Sequence, residues 1–168
     1  MKTPCSFVVH ALAASALAAV LSACGGGDDA TSTPATTPGT LTISAASNAS
    51  RNGSYKPTGA VFTSGADSGF NGNTADGKFE MEVLWSASAT IKRAAVWFFM
   101  NAGTASATIT FFGCNGGTIP CTGVSYDPAS KQVVFNKVAF VEVSDGLTAS
   151  TRKAGGETLS IDGSVTAK

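Results

Sequence analysis

Phe79, Met81, Val83 and Trp85 alternate with Glu80, Glu82, Leu84 and Ser86, and this period of two commits the stretch to a half-buried strand. Ala105, Ala107, Ile109 and Phe111 repeat the pattern against Ser106, Thr108 and Thr110. Gly123 to Tyr126, then Asp127-Pro128-Ala129-Ser130, then Lys131 to Phe135 reads as a hairpin. The Asp127 carboxylate can accept turn amides, and the Pro128 ring presets φ at the next position. Val138 to Val143 prolongs that second strand, but its apolar parity changes near Asn136-Lys137, which predicts a bulge there. Leu41 to Ala45, Ala60 to Ser64 and Leu159 to Ala167 supply further strands.

Ser88 to Met100 is ambiguous. Ile91, Ala94, Ala95 and Phe98 also fit one helical stripe, with Ser88 as N-cap and Gly103 as stop. The β-branched and aromatic run Val96-Trp97-Phe98-Phe99 and the strands on either side favour a strand. Short strands separated by Gly, Asn and Asp turns predict an all-β domain. The expected form is a single antiparallel β-sandwich, Ig-like or similar, of about seven to eight strands, with a barrel as the alternative.

Ahead of this domain the composition changes twice. Residues 1–23 have a small positive start at Lys2 and an apolar stretch from Phe7 to Leu21, the parts of a secretory signal. The run is short for a bilayer span, and glycine follows it rather than a basic stop. Leu21-Ser22-Ala23-Cys24 closes the stretch and opens onto Gly25-Gly26-Gly27. This run resembles the lipobox of bacterial lipoproteins, whose cysteine is lipidated and becomes the first mature residue. The resemblance implies a lipid anchor on Cys24 and attachment to a membrane of the cell envelope. With Gly25 rather than aspartate after the cysteine, the family's sorting rule implies the outer membrane. Residues 24–39 read as the lipidated cysteine and a Gly/Thr/Pro tether, without a large apolar side chain to favour ordering. Residues 40–168 form the β-domain. Its Cys-x6-Cys-x-Gly-Val-x-Tyr-Asp stretch over 114–127, followed by Val133 to Asn136, loosely resembles small β-domains of proteobacterial lipoproteins, a likeness that implies no activity.

Cys114 and Cys121 are the two thiols left after the leader cysteine and Cys24, and an oxidising envelope predicts a disulfide between them. Without the leader the chain has no histidine, since His10 is the only one. Histidine-dependent nucleophilic catalysis and histidine metal sites are thereby excluded. Ten basic residues then face eleven acidic ones without blocks of like charge, which argues against nucleic-acid binding.

Three features carry other chemistry. Glu80 and Glu82 share one strand face, a spacing seen in carboxylate-dependent hydrolases and equally on any solvated strand. Ser64 to Gly77, with Asp67, Asn71, Asn73 and Asp76, gathers oxygen ligands as a calcium loop does, but the EF-hand spacing fails at Ala75 and turn chemistry accounts for the same residues. Trp97-Phe98-Phe99-Met100 and Phe111-Phe112 put rings on both faces of the sheet. Either both faces are covered, or Trp97, Phe99 and Phe112 contribute to a partner surface. The sequence thus predicts no catalytic residue, metal or cofactor. It predicts a non-catalytic envelope module that contacts protein or polysaccharide. The alternatives are a small-ligand or carbohydrate binder, and then an enzyme working through Glu80, Glu82 or Asp76.

Overall fold

The computed structural model describes residues 39–101, 103–146 and 148–167. Cys24, the leader and nearly all of the tether lie outside them. The described chain is built from ten strands: β1 Thr40–Ser44, β2 Gly53–Tyr55, β3 Thr58–Ser64, β4 Asp67–Asn73, β5 Phe79–Trp85, β6 Ile91–Met100, β7 Thr108–Cys114, β8 Val124–Asp127, β9 Gln132–Glu142 and β10 Thr158–Thr166. A single 3-10 turn, Ala49–Arg51, lies between β1 and β2, capped by the Asn48 side chain.

All pairings are antiparallel and belong to one sheet, in the order β2-β1-β10-β9-β7-β6-β5-β4-β3, with β8 beside β9. The sheet curls into a half-barrel. The all-β antiparallel expectation therefore holds, in the curled form that the barrel alternative describes. The chain from Ile91 to Met100 is a strand, and no helical turn occurs in it.

The curl has a visible cause. β7 and β9 are joined by two register pairs, Phe112 with Glu142 and Gly113 with Val141. On one side of this narrow seam lies the meander β3 to β7, and on the other β8, β9, β10, β1 and β2. The two halves fold toward each other over one core. Phe70, Phe79, Met81, Val83, Val96 and Phe112 come from the first, and Leu41, Ile43, Val133, Phe135, Phe140 and Ile161 from the second. Trp85 of β5 stacks on Tyr126 of β8 with ring centroids 4.0 Å apart.

β5 obeys the sequence pattern, burying Phe79, Met81, Val83 and Trp85 and leaving Glu80 and Glu82 half-buried on the other face. The predicted bulge is present. Asn136-Lys137 stands opposite Asp162 between the pairs Phe135–Gly163 and Val138–Ile161, and Asp162 accepts the Lys137 amide at 3.2 Å. Gly163 has φ +127, and a Cβ there would come within 2.2 Å of the Thr40 carbonyl oxygen.

Two expectations need correcting. The 105–111 alternation has the wrong parity: β7 starts at Thr108, buries Phe112, and leaves Ile109 half exposed with Phe111 on the outer face. Residues 64–77 are not one loop. Gly65-Ala66 makes a two-residue turn, with φ +63 at Gly65, and Asp67–Asn73 is strand β4. A strand rich in glycine and asparagine is legible only through its neighbours, since those residues favour turns when read alone.

The Cys114–Cys121 disulfide is formed, with Cα atoms 5.1 Å apart, and closes the loop leading into β8. Cys121→Ser should cost about 2.5 kcal/mol in the chain-entropy model, read as a lower urea midpoint that reduction of the wild type reproduces.

Candidate functional site

A cleft of about 630 Å³ opens beside the end of β6. Ser50, Arg51 and Tyr55 line it from the β1–β2 arm, Asp76 and Lys78 from the β4–β5 turn, and Phe98 to Asn101 from β6 and beyond. Its volume is that of a small-ligand site, which ranges over roughly 300–1,000 Å³.

Arg51 anchors the arm. The 3-10 turn directs its side chain inward, where it is only 5% exposed. Its guanidinium pairs with Glu157, donates to the Thr110 hydroxyl at 3.0 Å, and lies 5.5 Å and 5.3 Å from the ring centroids of Phe98 and Phe112. Such a cation is tolerated because one carboxylate and two aromatic faces replace its water. Its Nε has no hydrogen-bond partner among the described residues.

Tyr55 is the arm's second anchor. Its ring packs on Phe79 at 4.7 Å and against Phe98 at 5.8 Å, while its hydroxyl donates to the Arg51 carbonyl at 2.9 Å. Burial pushes the phenol above its ordinary pKa against the opposing pull of Arg51, so it stays protonated near neutral pH. Met100, 40% exposed, and half-buried Phe99 complete the apolar wall.

The carboxylates nearby are engaged. The Thr74 hydroxyl and then the Lys78 amide hold Asp76 below the usual range. Burial alone would raise Glu142, but Lys153 Nζ at 2.5 Å and the Glu157 amide at 3.0 Å bring it down. Glu82 pairs with Arg93 across the β5–β6 hairpin, and Glu80 accepts from the Asn71 amide at 3.1 Å. Asp67 pairs with Lys92 at 2.8 Å. The oxygens that suggested calcium are therefore spread over a strand, an ion pair and a turn. Among the described residues no three His, Cys, Asp or Glu side chains gather as a metal set.

Of the three residues offered as a partner surface, Phe112 is fully buried in the core. Its parity in β7 points it toward Phe98, 5.7 Å away. Trp97 lies on the opposite face yet is only 7% exposed, its ring against the edge of Phe111 at 6.1 Å. The segment after β9 helps cover this face, with Gly146 against the Phe111 ring and Ala149 over Gly113. Asp145 ties that segment down by accepting from the hydroxyls of Ser150 and Thr148 and from the Ser150 and Thr151 amides. This drives its carboxyl far below the usual range. Phe99 alone of the three reaches the cleft.

Sequence reasoning missed Arg51 and Tyr55. A lone arginine in the polar stretch Asn48 to Ser54 has no periodicity to mark it, and only Asn48 as a cap announces the turn. Comparison with protein-family models, with curated proteins and with solved structures finds no match to this chain.

Proposed function

We propose that this protein is a lipid-anchored module of the bacterial cell envelope that binds a short stretch of envelope polysaccharide without chemical turnover. The observation that carries the binding reading is the mixed character of the cleft. Tyr55, Phe98 and Met100 give it an apolar wall, and Ser50, Asp76, Lys78 and Asn101 give it polar groups. A sugar ring has the complementary build, with C–H faces for the aromatic wall and hydroxyl edges for polar groups.

Asp76, the one carboxylate among the described residues lining the cleft, is held below its usual range by the Thr74 hydroxyl and the Lys78 amide, whereas a general acid at neutral pH needs an upward shift. The anchor rests on the resemblance around Cys24.

Both parts are testable on the full chain. Metabolic labelling with palmitate should mark the wild type, and Cys24→Ala should lose both the label and the membrane fraction. Cosedimentation of the detergent-solubilised protein with purified peptidoglycan and lipopolysaccharide should show saturable binding to one of them. The Lys78→Ala, Met100→Ala double variant should weaken that binding about tenfold at an unchanged melting temperature, a loss of about 1.4 kcal/mol. Equal binding by the double variant, or no binding to either polymer, would reject the cleft as a glycan site.

A further inference from the structure

Sulfur is scarce in the described chain, and its atoms are unequally placed. Cys114 and Cys121 are joined to each other, and Met81 is fully buried in the core. Met100 is 40% exposed, which makes its thioether the accessible reduced sulfur among the described residues. Its position follows from parity. Met100 closes β6 two residues beyond Phe98, on the face that Phe98 turns to the core. The strand ends there, so the side chain sits on the rim of the cleft rather than in a core layer.

Across from that rim lies the Arg51 guanidinium. Its Nη1 pairs with Glu157, and its two faces are taken by the Phe98 and Phe112 rings. Nη2 carries two protons. It donates to the Thr110 hydroxyl at 3.0 Å, and the same nitrogen lies 4.0 Å from the Met100 sulfur. A thioether is a weak acceptor, so this contact serves the cation poorly. Nε has no partner among the described residues either. A buried cation with donors to spare favours a stronger acceptor placed beside it.

We infer that Met100 is an oxidation site for peroxides and that Arg51 holds the resulting sulfoxide. A sulfur lone pair attacks one oxygen of a peroxide in the cleft, the O–O bond breaks, and an S–O bond forms. The sulfur gives up two electrons. The departing hydroxide takes the proton of the transferred oxygen and leaves as water. The new oxygen is a strong acceptor on a flexible side chain, and rotation about the last side-chain bonds turns it into the 4.0 Å gap toward Nη2. In a packed core such an oxygen disrupts its surroundings. On this rim it supplies the partner that the thioether does not. The cleft then carries a fixed dipole where it had an apolar group, so a peroxide changes what the cleft can hold.

The test uses the full chain in detergent. Brief treatment with dilute hydrogen peroxide should add the mass of one oxygen atom, mapped by peptide mass to Met100. Met81 should react about tenfold more slowly until urea exposes it. The oxidised protein should melt about 3 °C above the reduced one, as one added hydrogen bond to a charged group predicts for a domain of this size. Met100→Leu should keep its midpoint under the same treatment. Arg51→Lys, whose single ammonium stays with Glu157, should take up the oxygen without a rise. Oxidation of Met81 as fast as Met100, an oxidised wild type melting with or below the reduced protein, or the same rise in Met100→Leu or in Arg51→Lys would each overturn the inference. The comparison of wild type with Met100→Leu decides the matter even where Arg51→Lys does not fold.

Discussion

Phe112→Ala should lower the stability of the domain by about 4 kcal/mol, the usual cost of emptying a large aromatic site in a packed core. The side chain is fully buried, meets Phe98 edge-on, and offers a face to the Arg51 guanidinium. Against a total of about 5–15 kcal/mol, one substitution would consume much of the margin. Phe99→Ala, at a half-buried position on the cleft wall, should cost about 1 kcal/mol. Urea unfolding followed by near-ultraviolet circular dichroism separates the two. The contrast is sharp because both phenylalanines were candidates for one surface. A Phe112 variant as stable as the wild type would mean that β7 presents its other face to the core.

Arg51→Met should cost about 3 kcal/mol. Removing one member of a buried ion pair usually costs about 3–5 kcal/mol, and the low end applies here because Glu157 is one-third exposed and can rehydrate. Methionine fills a similar volume, so the loss reports the ion pair, the Thr110 hydrogen bond and the two ring contacts rather than a void. Arg51→Lys should recover less than half of it. A single ammonium cannot reach Glu157 and Thr110 together, nor lie flat between two rings. The readout is the thermal midpoint, with Glu157→Gln as the milder comparison. Should Arg51→Met melt with the wild type, the arm would be held by Tyr55 and the β1 pairing alone.

What the sequence disclosed follows from where a side chain's partners sit. β5 was legible because its alternation is local: each apolar residue faces one core, and each glutamate faces the other way. The bulge at Asn136-Lys137 was legible for the same reason, as a slip in parity along a single strand. β4 was not, because its glycines serve neighbours: the Phe62 ring of β3 occupies the space a side chain at Gly69 would need. Trp97 and Phe112 could be read as exposed because adjacent rings on opposite faces overfill a one-sided sheet. Part of the second face lies under the segment after β9, where Gly146 meets the Phe111 ring and Ala149 meets Gly113, and the Asp145 hydrogen bonds that hold this segment give no periodic signal. The cleft was the least legible part, since Arg51, Asp76 and Met100 come from three separated segments without a shared motif.

β1 lies inside the sheet, yet its long partner is the last strand, with Leu41 opposite Gly163 and Ile43 opposite Ile161. β9 likewise waits for β10 along most of its length. A chain delivered amino end first therefore cannot complete this core until β10 has emerged. Leu41, Ile43 and Phe140 remain unmatched until the final segment emerges, and closing contacts so distant in sequence is slow. Loss of β10 would strip two strands of their neighbour at once, so a chain cut short before Thr158 should collect as unfolded material rather than as a trimmed domain.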